Sequence, residues 1–264
     1  MSYKISVLIS TYDDAEFVDR KLDEIRKQSI FDQSEFIFIE TASPGRERRV
    51  LAPFCERHGN CKLLALEERK TLYEAWNLGW DIATAPIICY SNMDDCMHPK
   101  LLEEVVTAMD SRTWDVCSVL IAKQPLANIY RKDMWSIDYL KHLKLSHRPG
   151  PFTAWRKAVE KDIGKFDPGF FAAGDKDFWA RILASGTRYG LVRKVLYLYS
   201  KSPDQLSKSD LGRESRKKDK ILASGKPYTL TWPYRKFPLY TILQLRLRLC
   251  PQTLFTSPRC IRHR

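Results

Sequence analysis

The stretch richest in potential chemistry is Ile87–Pro99. An apolar run, Ile87–Tyr90, leads straight into Ser91, Asn92, Met93, Asp94 and Asp95, and after three more residues Pro99 opens a helix-period segment. Hard oxygen ligands at a strand's carboxyl end suit Mg²⁺ or Mn²⁺, which bind through one or two carboxylates and fill their shell with water and substrate phosphates. Taken alone, an Asp-Asp pair ahead of a helix also reads as a turn or an N-cap. A second acidic group, Asp175 and Asp177, begins another helix-period segment. Asp177 stands four residues before Arg181, the spacing of a helical ion pair, and Asp175 alone reads as a cap.

The elements that must position these groups follow from hydrophobic periodicity. Short apolar runs at Ile5–Ile9, Phe36–Ile39, Leu63–Leu66, Ile87–Tyr90 and Val116–Ile121 have the length and bounds of buried strands. Between them lie helix-period segments at Ala15–Gln28, Arg46–His58, Leu72–Ala83 and Pro99–Met109, the last with proline in its first turn. Four alternations of strand and helix predict an α/β fold with a mostly parallel sheet covered on both faces. Ligands of such a sheet bind at the carboxyl ends of its strands. Residues 122–150 read as irregular, followed by helices near Ala154–Lys161 and Asp175–Ser185 and a last strand at Leu191–Tyr199.

Four segments together resemble glycosyltransferase family 2, whose fold is called GT-A. Ile5-Ser6-Val7-Leu8-Ile9-Ser10-Thr11-Tyr12-Asp13 is similar to the family's opening strand and its Pro-Thr-Tyr-Asn end, with Ser10 and Asp13 as departures. Phe36–Ser43 stands where the family has apolar residues and then Asp-Asp-Gly-Ser; Glu40 keeps the acid, whereas Thr41 and Ala42 depart. Leu72–Gly79 resembles the Ala-x-Asn-x-Gly helix, and the spacing from Asn77 to Asp94 also matches. The family's Asp-x-Asp falls on Asn92-Met93-Asp94, and Gly174–Arg181 is similar to its Glu-Asp-x-Asp-Leu-x-x-Arg helix, with Gly174 in place of the glutamate.

The resemblance, over roughly residues 3–210, implies an inverting transferase that moves a sugar from a nucleotide-sugar, a UDP-sugar first among them, to a glycan or lipid-linked glycan hydroxyl. It implies a nucleotide site at Ser10, Thr11, Tyr12, Glu40, Lys70, Asn77, Asn92 and Asp94, and a Mn²⁺ or Mg²⁺ held by Asp94 with Asp95. Because an asparagine oxygen supplies no charge, weaker ion affinity is expected than with two acids. Asp175 falls on the general base, which such chemistry needs because an acceptor hydroxyl is a poor nucleophile until a positioned carboxylate takes its proton. Phe152–Lys157 resembles the acceptor border of relatives acting on cell-surface polysaccharides, which points to Trp155 and Arg156; plain core packing is the other reading of that tryptophan. Ser202–Ser209 reads either as a loop folding over the diphosphate or as a solvated loop.

Charge divides the chain sharply. Of 44 Lys/Arg and 32 Asp/Glu, residues 201–264 hold 15 and 4, a net of +11, and residues 1–200 hold 29 and 28, a net of +1. A nearly neutral body argues against a nucleic-acid-binding module, and the absence of an early Gly-rich phosphate loop argues against a nucleotidyltransferase of the same layered type. The expected organisation is a catalytic domain over 1–210, with its nucleotide half about 1–98 and acceptor half about 99–210, and a basic extension over 211–264. Within the extension, Tyr234–Leu249 interleaves basic and apolar residues as a segment suited to an anionic membrane surface, a partner groove, or packing back onto the domain. Seven cysteines, odd in number and without a Cys-x-x-Cys pair, read as free thiols in a reducing compartment. No window reaches the ~20 apolar residues of a membrane span. The expectation is a cytoplasmic protein, peripheral at the inner face of the cell membrane.

Overall fold

β-Branched and aromatic runs pack well on a pleated, buried surface, and each of the five apolar runs forms a strand. In the computed structural model, which describes residues 2–146, 148–201 and 210–231, β1 (Ile5–Thr11), α1 (Val18–Arg26), β2 (Ser34–Thr41), α2 (Glu47–Arg57), β3 (Cys61–Leu66), α3 (Leu72–Ile82) and β4 (Ile87–Tyr90) alternate as the periodicity predicts. The chain continues through β5 (Cys96–Met97), α4 (Leu101–Arg112), β6 (Val116–Pro125), α5 (Ile137–Leu140), β7 (Lys144–Ser146), β8 (Ala154–Arg156), α6 (Glu160–Ile163), α7 (Gly174–Ser185), β9 (Tyr189–Lys201) and α8 (Asp210–Ser224).

The strands join one sheet in the order β3-β2-β1-β4-β8-β6-β9-β5, with β7 on β6. β1 pairs in parallel with both β2 and β4, so the order reverses beside β1 and opens a crevice between the carboxyl ends of β1 and β4. The sheet is mixed, because β8 lies antiparallel between β4 and β6 and β5 lies antiparallel to β9. Two expectations are corrected here. Ala154–Arg156 is a strand and not the start of a helix, since Ala154 and Trp155 are wholly buried on both sides of a central position. Residues 122–150 are less irregular than composition suggests: β6 runs on to Pro125 and β7 pairs with it at Ile121–Lys123.

Helix α3 starts with a capping box. The Thr71 hydroxyl accepts the Glu74 amide (3.3 Å), and the Glu74 carboxylate accepts the Thr71 amide (2.8 Å). Gly79 lets α3 lie directly on β1 and β2, because a Cβ there would sit 2.9 Å from Ile39 Cδ1 and 3.0 Å from Leu8 Cδ2. On this face Trp76, Trp80, Trp155, Phe166 and Phe178 form one aromatic cluster, with Trp76 stacked on Tyr90 at 3.9 Å between centroids. The five described cysteines are free thiols, four of them buried. No helix among the described residues is long and apolar enough to cross a membrane. Tyr234–Leu249 and Ser202–Ser209 lie outside the described residues, as do Cys250 and Cys260.

Candidate functional site at the strand ends

Parallel pairing sets Thr11 directly beside Glu40, and Ser91 N–H donates to the Leu8 carbonyl (3.0 Å), so the segments after β1, β2 and β4 converge. Asp13 (φ 59°) and Ala42 (φ 52°), just past β1 and β2, both adopt left-handed backbone. That conformation costs a non-glycine residue about 1–2 kcal/mol, and it turns both chains sharply at the site. Asp13 N–H donates to Ser43 Oγ (2.8 Å), tying the two turns together.

Glu40 is buried and accepts hydrogen bonds from the Ser43 amide and from Arg48 Nε (2.9 Å). With Ala42, Ser43, Gly45, Arg48 and Leu66 it lines an open cavity of about 420 Å³. Tyr12 and Lys70 lie half-buried nearby in sequence and strand order; the Arg69 guanidinium covers the Tyr12 ring at 3.9 Å, and Lys70 pairs with Glu68 (3.3 Å). Ser10 is half-buried on β1, opposite Ile39.

The acidic turn after β4 divides into an inward and an outward carboxylate. Asp95 is fully buried: one oxygen accepts the Ser200 amide (2.8 Å), the other the Tyr197 hydroxyl (3.0 Å) and Asn92 Nδ2 (2.9 Å). Burial, with the Asp94 charge beside it, pushes the Asp95 carboxyl well above its ordinary value. Its sequence assignment as a metal ligand is therefore corrected. Both oxygens are engaged in joining the turn to β9, and Asn92 serves that same junction. Asp94 is only half-buried; burial raises its pKa, while the charges of Lys21 and Arg20 pull it back.

Four groups here escaped sequence reading. Asp14 follows the β1 turn and accepts the Tyr12 amide (3.1 Å); burial pushes it up to about 7, with the charges of Asp94 and Glu47 adding. Glu47, buried in the first turn of α2, accepts the Asp14 amide (2.7 Å) and the Ser43 hydroxyl (2.6 Å). Lys21 is wholly buried and its Nζ reaches Glu24 (2.8 Å), the Asp95 carbonyl (2.8 Å) and Ser91 Oγ (3.2 Å), while Arg20 caps the Met93 and Asp95 carbonyls. Of these only Lys21 carried a signal: it shares the inward stripe Val18, Lys21, Leu22, Ile25 of an amphipathic helix.

Asp175 lies in the first turn of α7. The N-cap is Ala173, with no capping side chain, so the cap reading of Asp175 does not hold. Burial raises its carboxyl to about 6, against the pull of the Lys176 amide (2.8 Å to Oδ1) and the Tyr73 hydroxyl. Gly174 is needed for this arrangement, because a Cβ would lie 2.7 Å from the Tyr73 ring. Asp177 is buried and structural, accepting Arg181 Nε (2.9 Å) and the Tyr228 hydroxyl (2.7 Å).

Three further assignments are corrected by position. Asn77 has both ends of its amide on the Phe166 backbone, donating to its carbonyl (2.8 Å) and accepting its N–H (3.0 Å), so it ties α3 to the loop before α7. Trp155 is fully buried among Trp80, Phe166 and Phe178 and presents no face to a sugar. Arg156 pairs in register with Ile87, the first residue of β4, and donates to the Trp114 (3.0 Å) and Met109 (3.1 Å) carbonyls. Because β8 runs antiparallel, that places it at the sheet edge opposite the site.

No cluster of three or more metal-ligating side chains exists among the described residues. The donor set nonetheless fits a hard cation bound through few protein groups. Asp94 and Asp14 are two partly buried carboxyls, and the Asp94 charge raises the proton affinity of Asp14, an unfavourable accumulation that a divalent ion relieves.

The crystal structure of S. aureus TarS 1–349 in complex with UDP-GlcNAc matches this chain with a TM-score of 0.62 at 17% identity, over 84% of this chain and 71% of that one. Mannosyltransferase PcManGT from Pyrobaculum calidifontis, in complex with GDP-Man and Mn²⁺, matches with 0.59 at 18% identity, over 97% and 73%. Against the longer crystal structure of S. aureus TarS (TM-score 0.60, 18% identity, 84% of this chain), the match spans 42% of that protein's length. No curated protein matches the chain. These likenesses establish a GT-A-like fold, and the Glycosyl transferase family 2 model matches residues 6–182, across β1 and the acidic turn and into α7. The chain belongs to glycosyltransferase family 2.

Proposed function

We propose that this glycosyltransferase moves a sugar from a nucleotide-sugar to a hydroxyl of a glycan or lipid-linked glycan, inverting the anomeric centre, with Asp175 as general base. The observation that carries the reading is the Asp175 carboxyl itself. It is held at about 6 in the first turn of α7, within electrostatic reach of Tyr90 at the end of β4, which also senses Asp95. A base with a pKa near the operating pH is ionised and still able to take a proton. Asp175 removes the acceptor proton as that oxygen attacks the anomeric carbon; the bond from that carbon to the phosphate oxygen breaks, and the nucleoside diphosphate leaves with the electron pair. Thr11, Tyr12 and Glu40 hold base and ribose beside the cavity at β2, and Asp94, supported by Asp14, faces the diphosphate. A divalent cation bound there supplies positive charge to the leaving diphosphate.

UDP heads the donors to test, and GDP follows, since the similar TarS and PcManGT structures hold UDP-GlcNAc and GDP-Man. The basic residues beyond 200 fit an anionic membrane surface at which a lipid-linked acceptor resides. Nucleotide release from a panel of UDP-, GDP- and dTDP-sugars, with and without Mn²⁺, tests the reading. Asp175→Asn lowers turnover about 10²–10⁴-fold and leaves nucleotide affinity and melting temperature near wild type. Wild-type turnover in Asp175→Asn refutes the base assignment, and failure to release nucleotide from any donor refutes the transfer reaction.

A further inference from the structure

The first turn of α7 has no local cap, yet its geometry decides where the Asp175 carboxylate points. Ala173 at the N-cap offers no side-chain acceptor. The loop that leads into the N-cap is held instead from far along the chain. Asp219, 3% exposed in the middle of α8, takes the Phe171 N–H on Oδ1 (2.9 Å) and the Ala172 N–H on Oδ2 (2.8 Å). These are the two amides immediately before the N-cap. A carboxylate gripping two successive N–H groups forms charge-assisted bonds of the stronger class, and its charge also complements the positive end of α7.

The rest of the segment grips the same loop on either side. Lys226 Nζ pairs with Asp167 (2.5 Å) and lies 5.6 Å from the Phe170 ring centroid, while the Tyr228 hydroxyl donates to Asp177 (2.7 Å). Leu222 packs so close to Gly169 that a Cβ there would meet its Cδ2 at 3.2 Å. Gly212, Ser215 and Asp219 are buried positions of α8, at helical spacing, and basic side chains such as Lys217, Lys218 and Lys220 face outward. An aspartate on the inward stripe of a helix is costly to bury unless its oxygens are bonded, and both of these are.

We propose that α8 and the turn after it form a strap that positions the start of α7 for catalysis, with Asp219 as the positioning residue acting through the Phe171 and Ala172 amides. The proposal rests on the reading of Asp175 as base. It makes residues 210–231 part of the catalytic domain in function, where charge alone marked them as an appendage.

The test uses the full chain with Asp219→Ala and Asp219→Asn, and the donor panel with water as acceptor. Amide hydrogen exchange over 170–178 is expected to quicken in Asp219→Ala. Its kcat is expected to fall about 10–100-fold, the range a displacement near 1 Å costs, while donor KM stays within about twofold. Asp219→Asn, which keeps one acceptor oxygen, falls between. Should Asp219→Ala not fold, Asp219→Asn and Tyr228→Phe carry the same readouts. Wild-type exchange and kcat in the folded variants overturn the strap, as does a loss in which kcat falls only with the folded fraction. If Asp175→Asn is inactive while Asp219→Ala turns over normally, the strap fails and the base stands. If Asp175→Asn turns over normally, the base reading fails, and exchange over 170–178 still judges the grip.

Discussion

Lys21→Met is a perturbation whose size can be worked from the contacts. The ammonium is wholly buried beneath the acidic turn and donates to Glu24 (2.8 Å), the Asp95 carbonyl (2.8 Å) and Ser91 Oγ (3.2 Å). Methionine keeps the stem volume and removes the donors. Stranding a buried charge costs about 3–5 kcal/mol, but Glu24 is 12% exposed and keeps Arg20 at 2.9 Å, so it is not stranded. What remains is the Ser91 hydroxyl, which loses its charged donor, and the Asp95 carbonyl, which loses one of two and keeps Arg20 (2.9 Å), about 2–4 kcal/mol in total. At about 2–4 °C per kcal/mol for a domain of this size, the melting temperature drops by about 5–15 °C. A second effect follows from charge. The Lys21 ammonium lowers the Asp94 pKa against burial, so without it Asp94 binds its proton more tightly and UDP binding with Mn²⁺ weakens at pH 7. Scanning calorimetry and titration calorimetry read the two effects, with exposed Lys27→Met as the control. Lys21→Met melting within about 2 °C of wild type, and binding UDP with Mn²⁺ equally well, refutes the reasoning.

Asn92→Asp restores the acid of the family motif but sets it against Asp95, whose oxygen now accepts Asn92 Nδ2 at 2.9 Å; the variant loses about 1–3 kcal/mol, and Mn²⁺ raises its melting temperature more than that of wild type. Gly174→Ala forces a methyl to 2.7 Å from the Tyr73 ring, costing about 1–3 kcal/mol by denaturant unfolding and reducing turnover by displacing Asp175. Glu35 is buried at the other end of the sheet. Burial alone would raise its pKa, but hydrogen bonds from Lys62, Ser6 and Thr84 outweigh that and hold it below the ordinary value. Its folded pKa is depressed, so its stabilisation is complete above the unfolded value of about 4.3 and is lost as pH falls through the folded value. The advantage of wild type over Glu35→Gln, about 1–3 kcal/mol at pH 7, therefore shrinks below about pH 4.3 in paired denaturant titrations.

That Thr11, Tyr12, Glu40 and Asp94 belong to strand ends and Asp175 to the first turn of a helix was legible, because such ends carry local signals. Asp95, Asn77, Trp155 and Arg156 carry the right residue types at family spacing, but spacing along the chain does not say which way a side chain points. Asp95 turns inward to Ser200 and Tyr197, which are more than 100 residues away. Arg156 was misplaced because β8 runs antiparallel: a direction reversal moves a side chain to the opposite edge of the sheet, and no local propensity encodes it; Trp155 took the other reading its sequence allowed, plain core packing.

The sequence by itself determined the alternation of strands and helices, their approximate bounds and the acidic turn after β4. These depend on hydrophobic period and on residues next to one another. Tertiary structure alone decided which carboxylates face the crevice, why Asp14 stands near 7, and how Asp219 grips the loop that leads into α7, more than 40 residues before it. Those outcomes come from burial and from contacts between distant segments, where desolvation and unlike neighbours set the proton affinity and orientation of a group whose identity stays the same.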